Sequence, residues 1–171
     1  MTGKNRINTE RLLIEPITVS DNDFIFELVN TDEWIQFIGR RNVNSPTDAI
    51  PYIEKIINNP KINYWVVKLK NDLESIGVIT FIQRDYLEYP DIGFAFLKRF
   101  SRKGYAFEAA NAVLNDLVNT SDLSHILATT LPFNVNSIKL LNKLGLVFMK
   151  EIEVEKEKLH VYQLSTGLIE M

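Results

Sequence analysis

Ile92-Gly93-Phe94-Ala95-Phe96-Leu97-Lys98-Arg99-Phe100-Ser101-Arg102-Lys103-Gly104-Tyr105-Ala106-Phe107-Glu108-Ala109-Ala110 decides the architecture of this chain. The apolar run through Leu97 has the composition of a strand. It passes through a basic turn containing Gly104 and opens a helical pattern. The first turn of a helix presents unpaired backbone N–H groups and a partial positive charge. Such a terminus suits a phosphate, and a glycine lets the backbone approach it closely. A strand, a basic turn and a helix N-terminus in that order form an anion cradle, and Lys98, Arg99, Arg102 and Lys103 gather positive charge around it.

The helix that follows is the best-defined element. Ala106, Ala109, Ala110, Val113, Leu114 and Leu117 fall on one face at helical spacing, and the alanines permit close approach to a sheet. Thr120-Ser121-Asp122 ends it. His125 to Thr130 is a short strand, and Leu131-Pro132-Phe133-Asn134 a loop. Asn134 or Asn136 caps a short helix bearing Ile138, Leu140, Leu141 and Leu144, with Gly145 as its stop. Leu146 to Ile152 and Leu159 to Leu164 are closing strands, and the alternating charges of Glu151 to Lys158 mark a solvated hairpin.

Upstream, Tyr64 to Leu69, Ile76 to Ile82 and Tyr89 to Leu97 are strands, with Asn71-Asp72 as a turn and Gly77 as a bulge or close contact. Arg11 to Glu15 is an opening strand. Ser20-Asp21-Asn22-Asp23 starts a helix that runs to about Val29. Trp34, Ile35, Phe37 and Ile38 read as an unusually apolar loop ending in Gly39-Arg40-Arg41. Ser45-Pro46-Thr47-Asp48 announces a second helix, which either starts near Pro51 or kinks there. The order β-α-α-β-β-β-α-β-α-β-β predicts an α/β architecture. It has one mixed, mostly antiparallel sheet of about six to seven strands with helices on both faces.

The 171 residues suffice for one domain with one sizeable core, expected to span 1–171. Hydrophobic residues at 46% and charged residues at 24% are ordinary for a globular chain and argue against disorder. A net charge of −3 gives a nucleic-acid role no global support. The absence of cysteine removes disulfides, cysteine zinc sites and thiol nucleophiles together. His125 and His160 lie in apolar or strand-like runs and read as structural, so no metal is expected. Met1 to Asn5 is polar, with no apolar signal region, and no window approaches the roughly 20 apolar residues that span a bilayer. A cytoplasmic protein with no membrane partner is expected.

Three segments resemble the GCN5-related N-acetyltransferase (GNAT) superfamily, in its ribosomal-protein N-terminal acetyltransferase (RimJ/RimL)-like branch. Thr9-Glu10-Arg11-Leu12-Leu13-Ile14 resembles that branch's opening strand. Asp91 through Phe94 and Gly104 through Ala109 resemble its central strand, phosphate loop and helix. Pro132-Phe133-Asn134-Val135-Asn136-Ser137 through Lys143-Leu144-Gly145-Leu146 resembles its last block. The element order agrees along nearly the whole chain. The family's loop runs Gln or Arg, two residues, Gly, one residue, then Gly or Ala. Gly104 and Ala106 match it, whereas Ser101 stands where Gln or Arg is usual and Arg102 where many members have glycine.

The resemblance implies acetyl-CoA as co-substrate. The loop's backbone N–H groups would hold its phosphates, around Gly104, Tyr105 and Ala106, with Arg102 and Lys103 adding charge. In the family the strand before the loop splays from its neighbour and pairs with the pantetheine arm, which carries over to Phe96 and Leu97. Asn134 matches the family's asparagine near the pantetheine, and is also a helix cap. An amine acceptor attacks the thioester directly, as a protein N-terminus or a small-molecule amine. Asp91, where relatives often carry Glu, is the candidate base, acting through water. Glu108 is explained by the helix dipole alone. Leu141 stands where a tyrosine general acid is common, so Ser137 or water would serve, or the thiolate leaves unprotonated. Trp34 and Arg40 belong to the expected acceptor wall. A homodimer is one assembly compatible with this reading. The departures at Ser101 and Leu141 motivate an alternative, a coenzyme A-binding sensory module without turnover.

Overall fold

The computed structural model describes residues 5–167, so Met1 to Lys4 of the polar N-terminal segment lie outside the described residues. The strands are β1 (Ile7–Asn8), β2 (Leu12–Pro16), β3 (Ile62–Leu69), β4 (Ser75–Ile82), β5 (Asp91–Phe96), β6 (His125–Thr130), β7 (Val147–Val154) and β8 (Glu157–Ser165). The helices are α1 (Asn22–Val29), α2 (Asp32–Phe37), α3 (Pro46–Ile57), α4 (Tyr105–Thr120) and α5 (Val135–Lys143). The eight strands form one sheet in the order β1-β2-β3-β4-β5-β6-β8-β7. Every neighbouring pair is antiparallel except β5 and β6, which are parallel. The count exceeds the expected six to seven by the two-residue β1.

Alternation of side chains assigns the two faces. Trp65 and Val67 of β3 and Ile92 of β5 point to one side, where Ala109, Ala110, Val113, Leu114 and Leu117 of α4 cover them. Val66, Val78, Ala95 and Leu97 point to the other, against Ile25 and Leu28 of α1 and Ala49, Ile53 and Ile56 of α3. Strands buried on both faces need continuous apolar runs, which is why β3 and β4 carry so little polarity. Ile76 lies between the partners of Val67 and Lys68, which are Gly77 and Ser75, so one extra residue bulges from β4 there. Gly77 also serves as a close contact, because a Cβ on it would stand 2.4 Å from the Phe96 ring.

Helix ends follow the sequence. Ser45 caps α3 through a bond from the Asp48 N–H, and Pro46 occupies its start. Pro51 lies inside α3, in its second turn, rather than starting it. The segment read as an apolar loop contains α2, whose Thr31 side chain accepts from the Trp34 N–H ahead of an acidic first turn. Gly145 follows α5 with φ +94°, a left-handed stop.

Ala109 and Ala110 are both fully buried beneath α4. Ala110→Leu is expected to cost about 1–3 kcal/mol by overpacking this contact. Urea denaturation with an unchanged slope and a lowered midpoint would report it.

Candidate active site

The central feature is a gap in the sheet. β5 and β6 share a single registered pair, Asp91↔Leu127, supported by the Leu127 N–H bond to the Pro90 carbonyl at 3.0 Å. Beyond it β5 stays paired with β4 out to Gly77↔Phe96, while its β6-facing side has no strand partner among the described residues. The Leu97 N–H donates to the Ile76 carbonyl at 2.9 Å, which fixes the last residue before the turn. A strand with one open edge can accept an extended ligand as an added strand.

The open edge leads directly into the basic turn. Lys98–Phe100 forms one 3-10 turn, and Ser101 to Gly104 are exposed. Gly104 has φ +80° and stands immediately ahead of α4. Arg102 has φ +62°, a left-handed conformation that disfavours a side chain. The backbone at that position has the geometry glycine provides without strain, a physical reason for glycine where Arg102 stands. The first bond of the helix runs from the Glu108 N–H to the Gly104 carbonyl at 3.0 Å. The N–H groups of Tyr105, Ala106 and Phe107 therefore have no partner one turn back. Phe96, Leu97, Arg102, Lys103, Gly104, Tyr105 and Ala106 thus share one continuous strand, turn and helix start.

Glu108 does more than answer the helix dipole. It accepts from the Thr9 hydroxyl at 2.5 Å, from the Arg11 backbone N–H at 3.0 Å and from Arg11 Nε at 2.7 Å. Burial raises the Glu108 carboxyl, but the bonds from Thr9 and Arg11 outweigh it and hold the group below its ordinary value.

Asp91 sits at the apex of the gap. Its neighbour Ile92 packs toward α4, so Asp91 faces the α1–α3 side, the side of Ala95 and Leu97. It is 4% exposed. Arg84 Nε lies 3.1 Å from Oδ1, and the Thr129 hydroxyl donates to Oδ2 at 3.0 Å. Burial pushes the Asp91 carboxyl above its ordinary value, against the opposing pull of Arg84 and the Thr129 bond. A group whose folded-state proton affinity is raised makes stability fall as pH rises through the raised range. The stability of the wild type relative to Asp91→Asn is therefore expected to decline from about pH 4 upward, then level off. Denaturation at a series of pH values checks this; a rise instead would mean that Arg84 dominates.

Asn134 caps α5, its Oδ1 accepting from the Ser137 N–H at 3.3 Å. Ser137 is half-buried beside it. Leu141 is buried in the α4-side core. The ring of Phe133, 60% exposed, lies 5.9 Å from that of Phe37, bringing the loop before α5 against α2. Trp34 is a core residue on the α1–α3 side with Arg41 over its ring at 5.9 Å, so it backs the wall; Arg40 is exposed. Burial first, and then the neighbouring Tyr52 of α3, pushes the Tyr64 hydroxyl well above the ordinary range.

Sequence reasoning missed Arg84 and Thr129 as partners of Asp91, and Thr9 and Arg11 as partners of Glu108. Arg84 lies in a polar connection with no pattern to mark it. The Thr9-to-Arg11 segment was visible, but its contact lies 97 residues away in sequence. Among the described residues no group of three or more His, Cys, Asp or Glu side chains could hold a metal. No described helix is long and apolar enough to cross a membrane.

The acetyltransferase (GNAT) domain family matches residues 11–147. A Bacillus subtilis (strain 168) protein named as an uncharacterized N-acetyltransferase, YnaD, is 29% identical over 140 residues, covering 82% of this chain and 81% of its own. A GNAT-family acetyltransferase structure from Bacillus anthracis superposes with a TM-score of 0.80 at 25% identity, over 95% of this chain and 99% of that one. A ribosomal alpha-N-protein acetyltransferase solved in complex with coenzyme A shares the fold. Its TM-score is 0.80 at 14% identity, over 94% of this chain and 98% of that one. The GNAT family uses acetyl-CoA to acetylate amines. The chain belongs to the GNAT acetyltransferase family and is an acetyltransferase.

Proposed function

We propose that this protein transfers an acetyl group from acetyl-CoA to a primary amine, on a protein N-terminus or a small molecule, by direct attack in a ternary complex. The observation that carries the reading is the one-pair junction of β5 and β6 beside the α4 N-terminus. The open β5 edge at Phe96 and Leu97 fits the amide-bearing pantetheine arm, and we assign Asn134 to the same arm. The N–H groups at Gly104, Tyr105 and Ala106 fit the pyrophosphate, and Arg102 and Lys103 add side-chain charge. Holding both substrates in one cleft supplies much of the acceleration.

Asp91 is the residue we assign to the proton. The amine attacks as its neutral form, its nitrogen bonds to the acetyl carbon, and the carbon–sulfur bond breaks. The acceptor's ammonium form first gives a proton through water to Asp91, whose raised proton affinity suits a base working nearer neutrality, and the proton that nitrogen loses after attack leaves with the thiolate. Ser137 or water protonates the departing thiolate, since Leu141 cannot. Trp34 and Arg40 shape the acceptor side, where Arg41 and Phe133 join them. Acetyl-CoA offered with a panel of peptide N-termini and small amines should yield an acetylated amine and free thiol together. Binding of acetyl-CoA with no acetylated product from any amine would favour the sensory module.

A further inference from the structure

Arg11 precedes β2, three strands away from β5, yet it holds the phosphate turn. Its Nε bonds Glu108 in the first turn of α4 at 2.7 Å, and its Nη1 donates to the Lys103 carbonyl at 2.9 Å. The guanidinium lies over the Tyr105 ring, 4.3 Å from its centre. A Cβ on Gly104 would stand 3.4 Å from Nη2. One planar fork with fixed donor directions thus contacts the turn, the helix start and the aromatic ring between them.

The direction of one peptide follows. In a planar trans peptide the carbonyl and the next N–H point in opposite directions. The Lys103 carbonyl points to Arg11, so the Gly104 N–H points away from it. At its start the turn is tied by the Ser101 N–H and hydroxyl, which both donate to the Lys98 carbonyl at 3.0 and 2.6 Å; at the Lys103–Gly104 peptide the tie is Arg11. Ser101 to Gly104 are exposed, and Arg102 is held at φ +62°, so a relaxed turn has a less strained backbone available.

We propose that Arg11 is a positioning residue for the cofactor. It orients the Lys103–Gly104 peptide so that the turn's N–H groups are set for phosphate before the ligand arrives. The proposal rests on the coenzyme A reading of the turn. The gain is preorganisation, so it appears as affinity. Arg11 needs no contact with the ligand.

The test uses the full chain and coenzyme A. Arg11→Met removes the fork; Arg11→Lys keeps the charge but cannot bond Glu108 and the Lys103 carbonyl in the same plane. Both are expected to weaken coenzyme A binding by calorimetry about tenfold or more, and to speed amide exchange at 102–107 in the free protein. Arg6→Met serves as the charge control, since Arg6 pairs with Glu15 at 2.8 Å and touches no part of the turn. Its affinity should stay within about twofold of wild type. If Arg11→Met fails to fold, Arg11→Lys decides. A lowered denaturation midpoint with unchanged affinity in folded Arg11 variants would make Arg11 a strand–helix staple only, and overturn the proposal. Equal losses in Arg6→Met would assign the effect to overall charge, and also overturn it. A wild type that does not bind coenzyme A would remove the function and the proposal together, an outcome distinct from both.

Discussion

Gly104→Val is expected to weaken acetyl-CoA binding by about ten- to a hundredfold and to erase the thermal stabilisation that the ligand gives the wild type. Gly104 adopts φ +80°, where a β-branched side chain is strained. The strain is on the order of 1–3 kcal/mol, and the turn can relieve it only by rotating the backbone that carries the phosphate donors. The added side chain would also start 3.4 Å from Arg11 Nη2, against the group that orients the preceding peptide. The effect should fall on the ligand more than on the fold, because residues 101–104 are exposed and contribute nothing to either core. Calorimetry and melting curves with and without acetyl-CoA measure both. An affinity within about threefold of wild type would remove the phosphate-turn assignment.

Asp91→Asn is expected to lower the acetyl-transfer rate by about 10²–10⁴-fold with acetyl-CoA affinity nearly intact. The amide keeps the shape and can still accept from Thr129, but it cannot take a proton as the carboxylate does. Arg84 loses its charged partner, yet at 37% exposure it can turn to water, so the protein should remain folded. The deficit should shrink as pH rises, because a growing share of the acceptor amine is then already neutral. Single-turnover rates across pH, with an acceptor shown to react, check this. A wild-type rate throughout would move the proton to water or another group, and leave the acetyltransferase assignment standing.

The elements that define the site were legible because their signals are local. The α4 stripe from Ala106 to Leu117 repeats at helical spacing, and the glycine and basic residues before it mark a turn at a helix start. Two short elements were not. β1 is two residues long and exists through its pairing of Ile7 with Ile14 and Asn8 with Leu13, which no local pattern encodes. α2 carries a start signal in Thr31-Asp32-Glu33, but its six residues are too few for apolar periodicity to show.

The candidate site divides the same way. Gly104 is marked by the turn's own chemistry, whereas Ala106 and Asp91 are candidates through the resemblance to the family. What the sequence left hidden were partners. Whether Asp91 is a surface carboxylate or a buried one depends on Arg84 and Thr129, which reach it from a connecting segment and from the neighbouring strand. Glu108 is intelligible as a first-turn acid until Thr9 and Arg11 are seen folded against it. Such contacts are set by how the sheet brings distant segments together, and residue spacing carries no trace of them.

An acetyltransferase must form free thiol and acetylated amine together. Purified protein incubated with acetyl-CoA and a panel of N-terminal peptides and small primary amines should release free coenzyme A thiol. Mass spectrometry should find an equal amount of one amine heavier by an acetyl group, and Gly104→Val should suppress both. Tight acetyl-CoA binding with no acetylated amine across the panel, at any pH where amines are neutral, would contradict it.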